Sequence, residues 1–194
     1  RKDAFDITKE TKRNTKIVFS KEENKLFKNK FKNLLLNDYA LTISENNYSG
    51  FSRVKNWGNK NMQKVIDKTK NNIDWIQVGM PYDTKLKNTI SDSRGKTNLR
   101  ELFYLASKAR LILTTEGMLT HVSSAFNIPC ISICSGFIYP EISEYENTIS
   151  ITPDPLPKCA YCLSSFCKYK YPICLKAIKP EVVIKQIKQI LKRK

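Results

Sequence analysis

Short apolar runs alternate along the chain with longer segments in which apolar residues recur at helical spacing. Six runs have the length and composition of buried strands, at residues 17–20, 39–44, 73–79, 111–114, 128–135 and 147–151. Five segments predict amphipathic helices, at residues 22–35, 61–70, 99–108, 117–126 and 181–191. Strands that alternate with helices predict an α/β fold: a Rossmann-like parallel sheet with helices on both faces.

In such a sheet, ligands bind beyond the carboxyl ends of the strands, where loops lead into helix N-termini that attract anions. The loops in question span residues 44–60, 79–97, 114–117 and 134–145. The chain contains neither G-x-x-x-x-G-K-[ST] nor G-x-G-x-x-G. This argues against a P-loop nucleotidase and against a dinucleotide-dependent dehydrogenase.

Composition adds an excess of positive charge. The 194 residues include 34 Lys or Arg and 18 Asp or Glu, a formal charge of +16, and 41% are hydrophobic, enough to fill a core. Residues 158–194 hold ten Lys or Arg and one acid, Glu181. Such a basic pole attracts nucleic acid, anionic membrane or phosphorylated ligands, although a generally Lys-rich, solvated surface explains it equally well. Neither an aromatic RNA-binding signature nor zinc-finger histidines occur, so nucleic-acid readout has little support.

Several short segments carry the most specific signal. They are TNLREL at 97–102, ARLILTTEGMLTH at 109–121, NIP at 127–129, KNWG at 55–58 and IKPEVV at 178–183. In this order and spacing they resemble the donor-binding lobe of glycosyltransferase family nine, the heptosyltransferases of bacterial surface-polysaccharide assembly. The resemblance covers roughly residues 40–190.

The resemblance implies the C-terminal half of a two-domain GT-B glycosyltransferase. We expect residues 37–194 to form the nucleotide-sugar-binding domain, with a Cys-rich loop at 158–175. Residues 1–36 form a basic segment, either a linker or the first β-α unit of the lobe. Because position 1 is Arg and not Met, we expect the chain to be a piece of a longer protein. No apolar run approaches the roughly 18 residues of a membrane span, and residues 1–13 have no apolar signal core, so we expect a soluble, non-secreted segment. The general base is expected on the N-terminal lobe, so this piece alone should bind donor without turnover.

The turn at 114–121 has chemistry suited to a diphosphate. Gly117 lets a ligand approach the backbone at the start of a helix, whose free N–H groups and dipole favour an anion. Thr115 can donate a hydroxyl. His121 is either a packed or capping residue or, as the resemblance implies, a neighbour of the donor's phosphates. Glu116 is assigned to sugar or ribose hydroxyls, because a carboxylate beside a diphosphate is unfavourable.

The KNWG segment supplies a cation. The resemblance gives Lys55 the task of neutralising the diphosphate as the sugar leaves, whereas without Trp57 and Gly58 a solvated loop lysine would be the better interpretation. Ser49 and Arg53, in the same loop, are weaker candidates for phosphate contacts.

Four cysteines lie close together in one Pro-flanked loop: Cys159, Cys162, Cys167 and Cys174. Their spacing indicates a structural zinc or iron site, with disulfides or reduced thiols as the alternatives. No metal is expected to take part in the chemistry. Cys130 and Cys134 lie in a strand pattern and are expected in the core.

The resulting hypothesis is a nucleotide-sugar-dependent, heptosyltransferase-like enzyme of lipopolysaccharide or surface-glycan synthesis. The resemblance implies a nucleotide-sugar donor, with ADP-heptose as one candidate, and a lipid-linked glycan acceptor. It also implies a cytoplasmic location, peripheral at the inner membrane, with the basic pole on the anionic leaflet and no nucleic-acid partner. The alternative is a non-catalytic basic module that docks to anionic membrane or nucleic acid, because Thr115 stands where the family has an acid. No sequence feature fixes the oligomeric state.

Overall fold

The computed structural model describes residues 16–44, 50–169 and 171–192. Within them, six strands form one parallel sheet in the order β3-β2-β1-β4-β5-β6. The strands are β1 (Tyr39–Ile43), β2 (Asp74–Val78), β3 (Ser91–Asp92), β4 (Leu111–Thr115), β5 (Cys130–Ile133) and β6 (Thr148–Ile151). Because all pairings are parallel, the carboxyl ends of the strands lie at the same edge, where the sequence places the ligand.

Helices cover both faces of this sheet. They are α1 (Lys21–Lys30), α2 (Gly50–Lys55), α3 (Asn59–Thr69), α4 (Leu99–Lys108), α5 (Met118–Ala125), α6 (Ile173–Ala177) and α7 (Pro180–Lys192), with short 3-10 turns at Leu34–Leu36 and Pro140–Ile142. The predicted fold class is thereby confirmed. Of the predicted helices, the one at 99–108 has the observed bounds, and three others agree to within two residues at each end.

Alternation along the strands divides the core into two layers. Leu111 and Leu113 of β4 pack with α3 and α7, whose inward residues include Val65 and Ile187. Ile112, between them in sequence, points to the other face and packs with α1, α4 and α5. The buried strands therefore read as continuous apolar runs, as strands covered on both faces do.

The predicted first strand at 17–20 is wrong. These residues form no regular secondary structure and pair with no strand of the described chain, and Val18 is 77% exposed. Ser20 instead caps α1: its hydroxyl accepts from the N–H of Glu23, whose carboxylate accepts from the N–H of Ser20. This capping box starts a helix at the place where a strand would have to continue. The helix predicted over 22–35 also ends early, at Lys30.

Three short elements were not predicted. Helix α2 lies in what the sequence indicates as a loop, α6 begins inside the Cys-rich loop and runs two residues past it, and β3 is two polar residues long. Elements this short show too few positions for a periodic pattern to develop. Within the described residues, no helix is both long and apolar enough to cross a membrane.

Candidate functional site

The predicted cation lies at the carboxyl edge of the sheet and contacts the predicted carboxylate. Lys55 is the last residue of α2, and Glu116 directly follows β4. The Nζ atom of Lys55 is 2.6 Å from Oε2 of Glu116, with the two side chains 24% and 11% exposed. The Lys55 ammonium also lies 5.5 Å from the centre of the Phe137 ring, in the loop after β5. Lys55 is therefore a partly buried, paired cation and not a solvated loop lysine.

The KNWG turn holds Lys55 in place. The Trp57 side chain is 4% exposed, and its indole N–H donates to the carbonyl of Ile178, 3.0 Å away, just before α7. Gly58 has a φ of 97°, a conformation that L side chains rarely adopt, and its N–H donates to the Asn56 side chain. Trp57 thus anchors the turn to the core, and Gly58 permits its sharp direction change into α3.

The start of α5 is open to a ligand. Gly117 has no side chain to cap the helix, and no side-chain cap is formed there. A Cβ atom at this position would lie no nearer to another atom than 3.9 Å, from the carbonyl oxygen of Thr115. The backbone is extended and does not itself require glycine. What glycine provides is free space directly in front of the N–H groups of a helix next to Lys55.

The remaining predicted residues of this turn lie differently. Thr115 is the last residue of β4 and only 3% exposed, so its hydroxyl is not on the surface. His121 is exposed one turn into α5, and its Nδ1 lies 2.7 Å from the hydroxyl of Tyr145 in the loop after β5. Arg53 is exposed on α2, and Ser49 lies outside the described residues. Tyr145 had no motif to mark it; its place in the predicted ligand loop 134–145 was the available signal.

The Cys-rich loop packs against the same region. Its four predicted cysteines are all free thiols and line one cavity of about 30 Å³, together with Val54 and Phe137. The loop is attached to the segment after β5, where Gly136 accepts from the Tyr161 N–H and Phe137 from the Leu163 N–H. At Gly136 a Cβ would meet the Cys174 Cβ at 3.1 Å, so a larger residue there would press the loop away from Cys174.

In the described part of the chain, no three His, Cys, Asp or Glu side chains are arranged to hold a metal ion. A metal at the four-cysteine cavity therefore stays a prediction. Cys130 and Cys134 are buried in the core, as expected, and burial raises the pKa of Cys130 to about 12.

The sequence model of glycosyltransferase family 9 (heptosyltransferase) matches residues 5–136. The chain belongs to glycosyltransferase family 9. Lipooligosaccharide heptosyltransferase 2 of Campylobacter jejuni is 24% identical over 183 residues, which cover 86% of this chain and 56% of that protein.

Two solved structures show the same fold. The family 9 glycosyl transferase from Veillonella parvula has a TM-score of 0.72 at 16% identity, over 99% of this chain and 58% of the other. E. coli ADP-heptose lps heptosyltransferase II has a TM-score of 0.66 at 16% identity, over 91% and 53%. The family 9 chain thus has the α/β fold of the GT-B heptosyltransferases and spans about half the length of these relatives.

Membership in family 9 confirms the resemblance seen in the sequence. Of the donor residues it implied, the structure brings Lys55 and Glu116 into contact beside Gly117. His121 lies further along α5, paired with Tyr145, and the Thr115 side chain is buried. The edge of the sheet therefore offers one cation, one carboxylate and one open helix N-terminus in the same place.

Proposed function

We propose that this family 9 chain is the nucleotide-sugar-binding half of a heptosyltransferase-like enzyme. The supporting observation is the meeting of the Lys55 ammonium with the loop that opens α5. A cation beside free helix N–H groups is suited to a diphosphate, which carries its negative charge on oxygen. ADP-heptose is the proposed donor, since one relative of the same fold is an ADP-heptose heptosyltransferase.

The proposed chemistry assigns each group a step. As the bond between the sugar's anomeric carbon and the diphosphate oxygen breaks, negative charge grows on the leaving nucleoside diphosphate. Lys55 and the α5 N–H groups stabilise this charge most strongly in the transition state. Glu116 then loses its cation partner to the ligand and becomes an acceptor for the sugar's hydroxyls. The base that activates the acceptor hydroxyl is assigned to the N-terminal lobe.

The acceptor and the location belong to the same proposal. The proposed acceptor is a lipid-linked glycan. Lipooligosaccharide, after which the Campylobacter jejuni relative is named, is a glycan of this kind. The enzyme would then work in the cytoplasm, peripheral at the inner membrane. For the four cysteines we propose one structural zinc or iron, because all four thiols border a single cavity.

The alternative, a non-catalytic binding module, predicts that Lys55, Thr115, Gly117 and His121 scatter. Thr115 is buried and His121 pairs with Tyr145, but Lys55 reaches the turn at Gly117 through Glu116, and this contact favours the transferase. The buried Thr115 does not replace the acid that the family carries at this position, so Glu116 is the carboxylate available to a donor sugar.

A thermal-shift panel of nucleoside diphosphates tests the proposal. A ligand at 100 times its Kd stabilises the folded chain by about 2.7 kcal/mol, a shift of several degrees. We expect ADP to raise the melting temperature, Lys55→Ala to remove most of that rise, and Lys60→Ala, an exposed lysine on α3, to keep it. A chain whose melting temperature ignores every nucleoside diphosphate at millimolar concentration would contradict the donor site.

A further inference from the structure

A second surface lies on the face of the sheet covered by α3 and α7. The two helices start together at the carboxyl edge, where the Trp57 indole N–H donates to the carbonyl of Ile178. At the opposite edge, α7 ends beside Arg110, whose guanidinium donates to the carbonyl of Leu191. Between their outer faces runs a groove of about 550 Å³. It leads away from the donor site.

The groove is lined mainly by lysines. Its charged lining residues are Lys64, Lys68, Lys185, Lys188, Lys192 and Glu181. Lys64 is paired with Glu181, with 2.5 Å between Nζ and Oε1. Among the described residues, no acid pairs with the other four lysines. Lys185, Lys188 and Lys192 recur at a spacing that places them on one side of α7.

This crowding of like charges is unfavourable without a negative partner. The paired acid compensates one lysine, so four ammonium groups remain within one groove. Lys185, Lys188 and Lys192 stand three and four positions apart on α7 and repel one another, with Lys68 of α3 across the groove. An anionic surface within a Debye length relieves this repulsion. The complementary partner of this groove therefore carries several negative charges.

The lining also indicates which anion fits. Within the groove there is no aromatic ring on which a base could stack and no arginine for bidentate phosphate binding, while Ile184 adds an apolar side chain. Lysines are flexible point charges, which suit a fluid array of headgroups more than an ordered nucleic-acid backbone. Val182, 45% exposed at the start of α7, adds apolar surface next to the charges.

We propose that the α3/α7 groove is the membrane-docking surface of the lobe and binds the phosphate headgroups of an anionic bilayer. The proposal deepens the proposed function, on which it rests for the lipid-linked acceptor. Docking through this face lays α3 and α7 along the leaflet and leaves the donor site at the edge of the contact.

Vesicle sedimentation tests the proposal. One variant replaces four groove lysines by glutamine (Lys68, Lys185, Lys188 and Lys192). The matched control makes the same change in net charge on the opposite face of the sheet, at exposed lysines in and just after α1 (Lys21, Lys25, Lys28 and Lys32). Each protein is spun with vesicles of phosphatidylcholine alone and of phosphatidylcholine with an equal share of phosphatidylglycerol, and is tested for duplex-DNA binding at the same salt.

The wild-type chain should sediment with the anionic vesicles and not with neutral ones. Each lysine near an anionic surface strengthens binding about fivefold, so the groove variant should lose affinity by several hundredfold and the control much less. The proposal would be overturned if the two variants lost vesicle affinity equally or if the groove variant kept its vesicle affinity. Tighter binding of the wild-type chain to DNA than to anionic vesicles would overturn it as well. If the fourfold variant unfolds, the Lys185→Gln, Lys188→Gln pair decides, with an expected loss of about 25-fold.

The same variants separate this proposal from the donor site. ADP-dependent stabilisation should be unchanged in the groove variant, because its lysines lie on another surface. If ADP stabilises every variant but vesicle binding does not depend on the groove lysines, the membrane-docking proposal is refuted and the donor-site proposal stands. If ADP stabilises none of them, the donor proposal fails, and the vesicle result stands by itself.

Discussion

Because Lys55 contacts Glu116, a nucleoside diphosphate must compete with the Glu116 carboxylate for the Lys55 ammonium. In the structure the Lys55 ammonium lies 2.6 Å from the Glu116 carboxylate. A diphosphate must take this cation away from Glu116 and accept the nearby negative charge. We therefore predict that Lys55→Ala weakens ADP binding, whereas Glu116→Gln strengthens it.

The expected size follows from the burial of the pair. A hydrogen bond to a charged group contributes about 1.5–3 kcal/mol, so losing Lys55 should raise the Kd for ADP roughly 10- to 150-fold. The Lys55 and Glu116 side chains are 24% and 11% exposed, between a surface pair and a buried one, so the pair itself is worth about 1 kcal/mol. Releasing the lysine by Glu116→Gln should then lower the Kd about fivefold.

Calorimetric titration of the two single variants and the double variant forms a double-mutant cycle. In the Lys55→Ala background, Glu116→Gln should still gain from losing a negative charge but should no longer release a cation, so the two effects are not additive. With the intact sugar nucleotide the sign for Glu116→Gln reverses, because the carboxylate accepts from sugar hydroxyls. Additive effects, or an ADP affinity that falls in Glu116→Gln as it does in Lys55→Ala, would refute the competition.

Four further outcomes can be checked on the same chain. Gly117→Val should abolish stabilisation by ADP while the ligand-free melting temperature moves by only about 2 °C, because a Cβ there has free space; equal ADP shifts in variant and wild type would argue against a ligand at α5. In a timed alkylation read by mass spectrometry, exposed Cys162 should react before Cys130, whose pKa burial raises to about 12; early labelling of Cys130 would contradict the buried strand. After purification under reducing conditions, elemental analysis should find about one zinc or iron per chain; two disulfides without metal would replace the proposed site. Asp92→Asn should lower the free energy of unfolding by on the order of 1 kcal/mol at neutral pH, because Arg94 binds that carboxylate and holds its pKa at about 2. This stabilisation is complete above about pH 4 and is lost as the pH falls toward 2. Urea midpoints of variant and wild type that differ equally at every pH would contradict it.

The layered fold followed from the sequence because each layer has its own local signal. The strands β1, β2, β4 and β5 are short apolar runs, buried on both faces, and α4 and α7 show apolar stripes. Helix α4 also has a capping box, in which Asn98 and Glu101 exchange hydrogen bonds, and this fixes its first turn. Ser20 and Glu23 carry the same signal for α1. The β-rich run at 17–20 predicts a strand, but the capping box that begins at Ser20 is the stronger local signal and starts α1.

The donor residues could be named from the sequence, but their pairing could not. Lys55 and Glu116 are 61 positions apart, and only the sheet order, with β1 next to β4, brings the ends of these strands together. The two residues were assigned to different parts of the ligand because nothing local relates them. Tyr145 was missed for the same reason: its contact with His121 depends on where the loop after β5 returns.

Two predictions that were separate in the sequence describe one unit in the structure. The Cys-rich loop and Lys55, the cation proposed to bind the donor, share the Phe137 side chain, which lines the thiol cavity and also lies beside the Lys55 ammonium. Val54, the neighbour of Lys55, lines that cavity as well. Whatever fixes the four thiols therefore fixes the surroundings of the cation. This gives the proposed structural metal a physical role: it would hold Phe137 and Val54 in place beside Lys55.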